Sequence, residues 1–247
     1  MIKFFRKNRQ RLLTENKFSK YFLYAVGEIA LLVIGILIAF QINNWNENRK
    51  VDNTRENYFR QLLSDLETDK TYYNSVISSL ESSSVGYNNY KKIYKEPGLN
   101  ISKIFIQLGK LEYSVLQIEY KTSTIKTLIS TGEIKLIPNT LRNKLTLYNG
   151  IQSSVMMAAN GNNDAAQYIL QNAMMNGAII VLGKRLQNQP EFSKFLDIEK
   201  NWPKLFLELE ASLYWKEFGE NGTIRSFKSL IKDADTIIAS INKELEK

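Results

Sequence analysis

The sequence predicts an all-α fold, with a single N-terminal transmembrane helix continuing into a long helix and a helical-bundle periplasmic domain. Three observations carry that prediction. Phe22 to Ile42 is an apolar run of 21 residues in which only Glu28 and, at the rim, Gln41 are strongly polar. From Ile36 to Val85 there is neither Gly nor Pro. Beyond that stretch apolar residues recur at helical spacing almost to the end of the chain, and no strand-turn-strand pattern stands out. The expected organisation is a basic cytoplasmic tail over 1–20, a transmembrane signal anchor over 21–45 and a helical periplasmic domain over 46–247.

The tail, MIKFFRKNRQRLLTENKFSK, holds seven basic residues and one acid, Glu15. Ile2, Phe4, Phe5, Leu12 and Leu13 among those charges fit either a short interfacial helix on anionic lipid or a basic tail that only sets topology. About 20 apolar residues cross roughly 30 Å of hydrocarbon as a helix, so the run after the tail suffices to span a bilayer. Tyr21 and Tyr24 at one end and Trp45 at the other are the expected interface anchors, because amphipathic rings favour the headgroup level. The far flank, NENRKVDNTRE, carries only three basic residues. The bias of seven against three places the tail in the cytoplasm and the bulk of the chain outside. A cleaved signal peptide is the rival reading. The apolar run exceeds a 7–15-residue signal core, and no A-x-A-like site follows it.

Residues 4–50, FFRKNRQRLLTENKFSKYFLYAVGEIALLVIGILIAFQINNWNENRK, resemble the N-terminal signature of a family of uncharacterised single-pass membrane proteins from Bacteroidota. That signature runs roughly FRKxRQxLLxENKxxKYxxYAxGEIxLVVIGILIALQINNWNExRK. A weaker echo, STGEIKLIPNTLRNKL at 130–145, is similar to the family's middle region. The resemblance implies a bacterial inner-membrane protein whose outer side is the periplasm. It carries over no functional residues.

An ionisable group within the membrane segment costs a few kcal/mol unless it meets a partner or water. Glu28, Gly35 and Ala39 fall on one helical face, and small residues four apart allow close helix approach. This face is the expected transmembrane association seam. The bland alternative is a shallow carboxyl that snorkels to the headgroups.

Beyond the membrane, Phe59, Leu62, Leu66, Tyr73, Val76, Leu80, Tyr87, Tyr90 and Tyr94 alternate in steps of three and four, interrupted by Asp69 and Ser83. This is a heptad seam of coiled-coil type, and its aromatics fit a broad intramolecular bundle better than a slim parallel dimer. Pro97-Gly98 supplies the stop. A helix is expected over 102–120 and another over 122–130 with Gly132 as C-cap, then an extended link at 134–137 and Pro138 near the next helix start. The helix from Thr140 is expected to kink or break at Asn160–Asn163. Ala165–Leu186 follows, interrupted at Asn176-Gly177. Phe192–Phe218, broken by Pro203, and Ile224–Leu245 complete the count.

Chemistry is bounded by absence. The chain has no Cys and no His, which removes disulfides, His/Cys metal sites, thiol nucleophiles and imidazole bases. The charge of +8 sits mainly in residues 1–50, so the large domain offers no basic field and nucleic acid is not an expected partner. Glu208/Glu210 and Asp233/Asp235 are two apart, point to different faces and are expected to be solvated charges. Trp202 and Trp215 are expected to pack in the interior rather than form a ligand cage. No catalytic residue, cofactor or metal site is expected, and the chain is not expected to be an enzyme. Its partners are expected to be the lipid bilayer and a second copy or another envelope membrane protein. The function expected is a membrane-anchored scaffold, adaptor or sensor-like interaction module. The alternative is a component of an ion-coupled or oligomeric membrane complex using Glu28.

Overall fold

The computed structural model of the chain describes residues 18–246. The expected interfacial helix of the basic tail lies outside the described residues. The described residues are helical and contain no strand, as the apolar spacing predicts. The helices are α1 (Phe18–Lys92), α2 (Ile101–Leu108), α3 (Thr124–Thr131), α4 (Asn139–Arg185), α5 (Pro190–Leu196) and α6 (Trp202–Leu245). Short 3-10 turns occupy Ile93–Lys95, Glu133–Leu136 and Ile198–Asn201. The chain forms two units, Met1–Asn57 and Tyr58–Lys247.

In the first unit, α1 carries a window of mean hydropathy 2.4 with none of it buried. It is one helix long and apolar enough to cross a membrane. Phe22, Ile29, Leu37 and Ile42 are all exposed around it.

The second unit is a three-helix bundle of α1 from Tyr58 onward, α4 and α6. Phe59, Leu62, Leu66, Tyr73, Val76 and Leu80 are buried, so the heptad seam finds its partners inside the same chain. α4 meets it with Leu141, Leu145, Tyr148 and Met156, and α6 with Phe227, Leu230, Ala234 and Ile237. Tyr94, the last seam position predicted, is 46% exposed, because α1 has already ended at Lys92. Contacts Lys70–Asp235, Glu81–Lys228 and Lys91–Glu217 run in opposite directions along α1 and α6. Lys144–Ser240 and Asn176–Glu208 do the same for α4 and α6. α1 and α4 therefore run parallel, with α6 antiparallel to both.

Parallel neighbours require the chain to return along the bundle between them, and the return is where the expected helix over 102–120 fails. α2 stops at Leu108, and residues 112–123 have no regular secondary structure. Leu111 lies against Gly86, while the N–H of Thr124 donates to Asp65 at 3.0 Å. Those α1 positions are about 31 Å apart at about 1.5 Å per residue, and the return covers this with about 2.4 Å per residue. A helix of the same length would fall short, so the segment is drawn out into an extended strap.

Side chains replace the backbone partners that the strap lacks. Asn160 and Asn163 bond its carbonyls, the Tyr72 hydroxyl accepts from the N–H of Glu119 at 3.1 Å, and Asp69 accepts from the Thr122 hydroxyl at 2.9 Å. Asn160–Asn163 does not break α4, which runs straight through, since the asparagines are engaged on the strap. α4 also continues past Asn176-Gly177. Pro203 sits in the first turn of α6, where a missing N–H costs nothing, and no break separates Phe218 from Ile224. Gly132 caps α3 with φ 75°, the left-handed geometry that glycine adopts without strain, and the link expected to be extended over 134–137 is instead the 3-10 turn Glu133–Leu136, with only Ile137 extended.

Candidate functional site

The membrane-face residues come first. Glu28 is half-buried, Ala39 is exposed and a Cβ at Gly35 would meet open space. Trp45 is 63% exposed, with the Arg49 guanidinium 5.8 Å from its ring. The side chains of Tyr21 and Tyr24 lie outside the described residues.

The second unit builds a more definite site at the end of the bundle remote from Tyr58. α1 supplies one wall, with Ser79, Ser83 and Tyr87; the start of the strap, from Lys110 to Leu116, supplies another; α6 supplies the floor with Leu213, Lys216 and Glu220. They enclose a groove of about 720 Å³. Polar groups on its floor are buried for a local reason. α6 presents Lys216 and Glu220 one turn apart on the face turned to α1, and the ammonium donates to Glu220 at 2.8 Å and to the Ser83 hydroxyl at 2.5 Å. The side chains of the pair are 7% and 8% exposed. The Ser83 hydroxyl in turn donates to Glu220 at 3.3 Å.

Beside the groove stands a tyrosine cluster. Tyr90 and Tyr94 both donate to Glu210, and their hydroxyls lie 2.6 Å apart. Tyr87 stacks on Tyr90, with the Lys91 ammonium 4.7 Å from the Tyr87 ring. Burial, reinforced by the charges of Glu210 and Glu217, pushes the Tyr87 hydroxyl up to about 12. Burial and the bond to Glu210 push Tyr90 further up. These phenols are neutral donors at any physiological pH.

A serine touching a lysine resembles a nucleophile–base dyad, but the geometry points elsewhere. Lys216 donates to two acceptors as one half of an ion pair, so it has no lone pair with which to take a proton. Ser83 lies within α1, where the backbone N–H groups are committed to the helix and none is aimed to hold an oxyanion. The arrangement recognises polar groups; it does not activate one. No set of three or more metal-type ligands converges among the described residues.

Of Glu208/Glu210 and Asp233/Asp235, three are engaged rather than merely solvated: Glu210 by the tyrosines, Glu208 by Asn176, and Asp235 by Lys70 at 2.7 Å. Trp202 packs edge-on to Phe105, whereas Trp215 is 38% exposed with its ring edge-on to Phe218, so it is not interior packing. Ser83, Lys216, Glu220 and Glu210 form a site that spacing alone does not assemble. The one available signal is Ser83, a polar interruption of an apolar seam. Asn100, head of an Asn-x-Ser triplet, caps α2 by accepting from the N–H of Ser102 at 2.8 Å.

The fold and site define an all-α protein with one helix fit to span a membrane and a strapped three-helix bundle. The chain belongs to a family of unknown function (DUF6090), whose model matches residues 28–162. That match takes in most of the apolar segment, the strap and the first half of α4. No curated protein and no solved structure matches the chain.

Proposed function

We propose that this chain is a non-enzymatic, membrane-anchored recognition module of the bacterial envelope, acting as a scaffold, adaptor or sensor-like component. In this reading residues 1–20 are cytoplasmic, 21–45 are an uncleaved signal anchor in the inner membrane and the bundle is periplasmic. The excess of basic residues before the apolar segment supports the orientation. The resemblance of residues 4–50 to Bacteroidota membrane proteins supports the compartment.

The observation that carries the proposal is the groove. Its floor is a buried ion pair with Ser83 as a third member, set beneath a cleft large enough for a peptide segment. An extended polar partner segment is its proposed occupant. Ion coupling through Glu28 is the weaker reading, since one carboxylate does not make a relay.

Purification of the full chain from detergent-solubilised membranes tests this. Wild type should retain a specific partner, and Ser79→Trp, an exposed position on the groove wall, should lose it while keeping its helical circular dichroism. Equal capture by both proteins would sink the groove assignment. Protease added to spheroplasts should digest the C-terminal region; protection until the membrane is broken would reverse the orientation.

A further inference from the structure

Independently of the groove, α4 carries a feature that solvated helices lack. Residues 145–183 contain a single charged residue, Asp164. Its inner face is accounted for by the core, through Leu145, Tyr148, Met156, Ala159 and Ala166. Its outer face is not. Leu147, Ile151, Ser154, Ala158, Tyr168 and Met175 repeat in steps that keep them on one helical face, and all are exposed. Leu147 is 65%, Tyr168 66% and Met175 72% exposed. On the antiparallel α6, Leu207, Tyr214 and Phe218 continue the apolar surface at 65%, 60% and 51% exposure. Between the two helices lies a cavity of about 760 Å³ floored by Gly150, Ser154, Ala158 and Gly222.

We infer that the outer face of α4 and α6 is where two copies of this chain pair in an isologous dimer. Depletion of charge with exposed methionine and aromatic side chains is the composition of an interface core. The absence of charge also selects the partner. A two-fold interface sets each patch against itself, so net charge at its centre would repel its own copy; the α4 half carries only Asp164, and the α6 half carries its exposed charges, Lys204 and Arg225, at its two ends. An acidic or basic partner would call for complementary charge along the α4 stripe, which offers only Asp164. The size fits. At about 1.5 Å per residue over Leu147–Met175 and about 10 Å per helix, the face measures roughly 40 by 20 Å, close to the ~800 Å² per subunit of a standard stable interface. The ridge formed by Leu147 and Phe218 of one copy has the small-residue floor of the other to enter.

The test uses the full chain in detergent, with single cysteines on a background that has none. Ala158→Cys and Met175→Cys should form homodimer crosslinks with a short bis-maleimide, and Ser75→Cys, exposed on α1, should not. Ala158→Asp places like charges against each other across the two-fold axis and should weaken dimerisation at least about tenfold by analytical ultracentrifugation. Because Ala158 is exposed, Ala158→Asp should keep the helical circular dichroism of wild type; Ser75→Asp is the control and should leave the dimer unchanged. A monomeric wild type, crosslinks as strong from Ser75→Cys as from Ala158→Cys, or crosslinks from Ala158→Cys only to a different protein would each overturn the inference.

Discussion

Asn160 holds Ile118 by both of its backbone polar groups: the side-chain oxygen accepts from the Ile118 N–H at 2.9 Å, and the side-chain nitrogen donates to the Ile118 carbonyl at 2.8 Å. One amide thus does for the strap what a neighbouring strand would do in a sheet. It also lets Ile118 drop into the core at 4% exposure between α1 and α4. The bundle's parallel pair of long helices depends on that return path.

Replacing Asn160 with Leu should therefore leave two part-buried backbone groups without partners, at roughly 1–3 kcal/mol each. Asn160→Asp keeps the acceptor and loses the donor, so it should cost less. Urea midpoints of the full chain in detergent should rank wild type above Asn160→Asp and Asn160→Leu last. Asn162→Asp, two residues on, should be milder than Asn160→Leu. A midpoint for Asn160→Leu equal to wild type would mean that the strap is not held through Ile118.

Asp69 holds the strap lower down, at Thr122, and also accepts from Gln152 at 3.0 Å. Burial raises its pKa above 3.8, against the lowering effect of those two bonds. In the interval between the unfolded and folded values the native state binds more proton than the unfolded chain, so stability from this group falls as pH rises through it. Above the folded value the loss is complete. Asp69→Asn removes the titration. The unfolding free energy of wild type minus that of Asp69→Asn should therefore decline as pH rises through the carboxylate range and then level off. Parallel pH curves would show that Asp69 does not carry the effect.

Lys216 and Glu220 supply a third prediction. Removing one member of a buried pair strands the other, at about 3–5 kcal/mol, whereas replacing both by apolar residues of similar volume is often neutral. Lys216→Met and Glu220→Leu should each destabilise strongly, and the double variant should recover most of the loss. The test is a thermodynamic cycle from urea unfolding. Additive losses would mean the two side chains act independently.

How much of this is legible in the sequence differs from residue to residue. The seam from Phe59 to Leu80 is legible because period 3.5 needs no knowledge of the partner. Asp69 and Ser83 stand out as polar residues in that seam, and both prove to be where α1 makes polar contacts with distant chain. Their partners are not legible: Thr122 and Gln152, Lys216 and Glu220 come together only through the bundle. The strap is hidden for a different reason. Ile118, Val115 and Leu111 have spacing that a helix accepts, and what extends them is the span from Gly86 to Asp65, a tertiary length. Asn160 and Pro203 mislead for a related reason, since the same residue types that end helices also bond a passing backbone or open a first turn.

The membrane face gives the last prediction. Glu28, Gly35 and Ala39 share one side of α1, Gly35 is bare of neighbours, and small residues there let a second helix come close enough to bond a carboxyl within the bilayer. The membrane helix is therefore expected to associate, with its own copy or with another envelope protein. Single cysteines placed along residues 24–42 of the full chain should give oxidative crosslinks that peak at positions 28, 35 and 39. Gly35→Ile should flatten the peak by preventing close approach. Val33→Ile, off this face and similar in bulk, should not. Both substitutions sit outside the bundle, so its unfolding midpoint should stay at the wild-type value in each. A flat crosslinking profile in wild type would mean that this face meets only lipid.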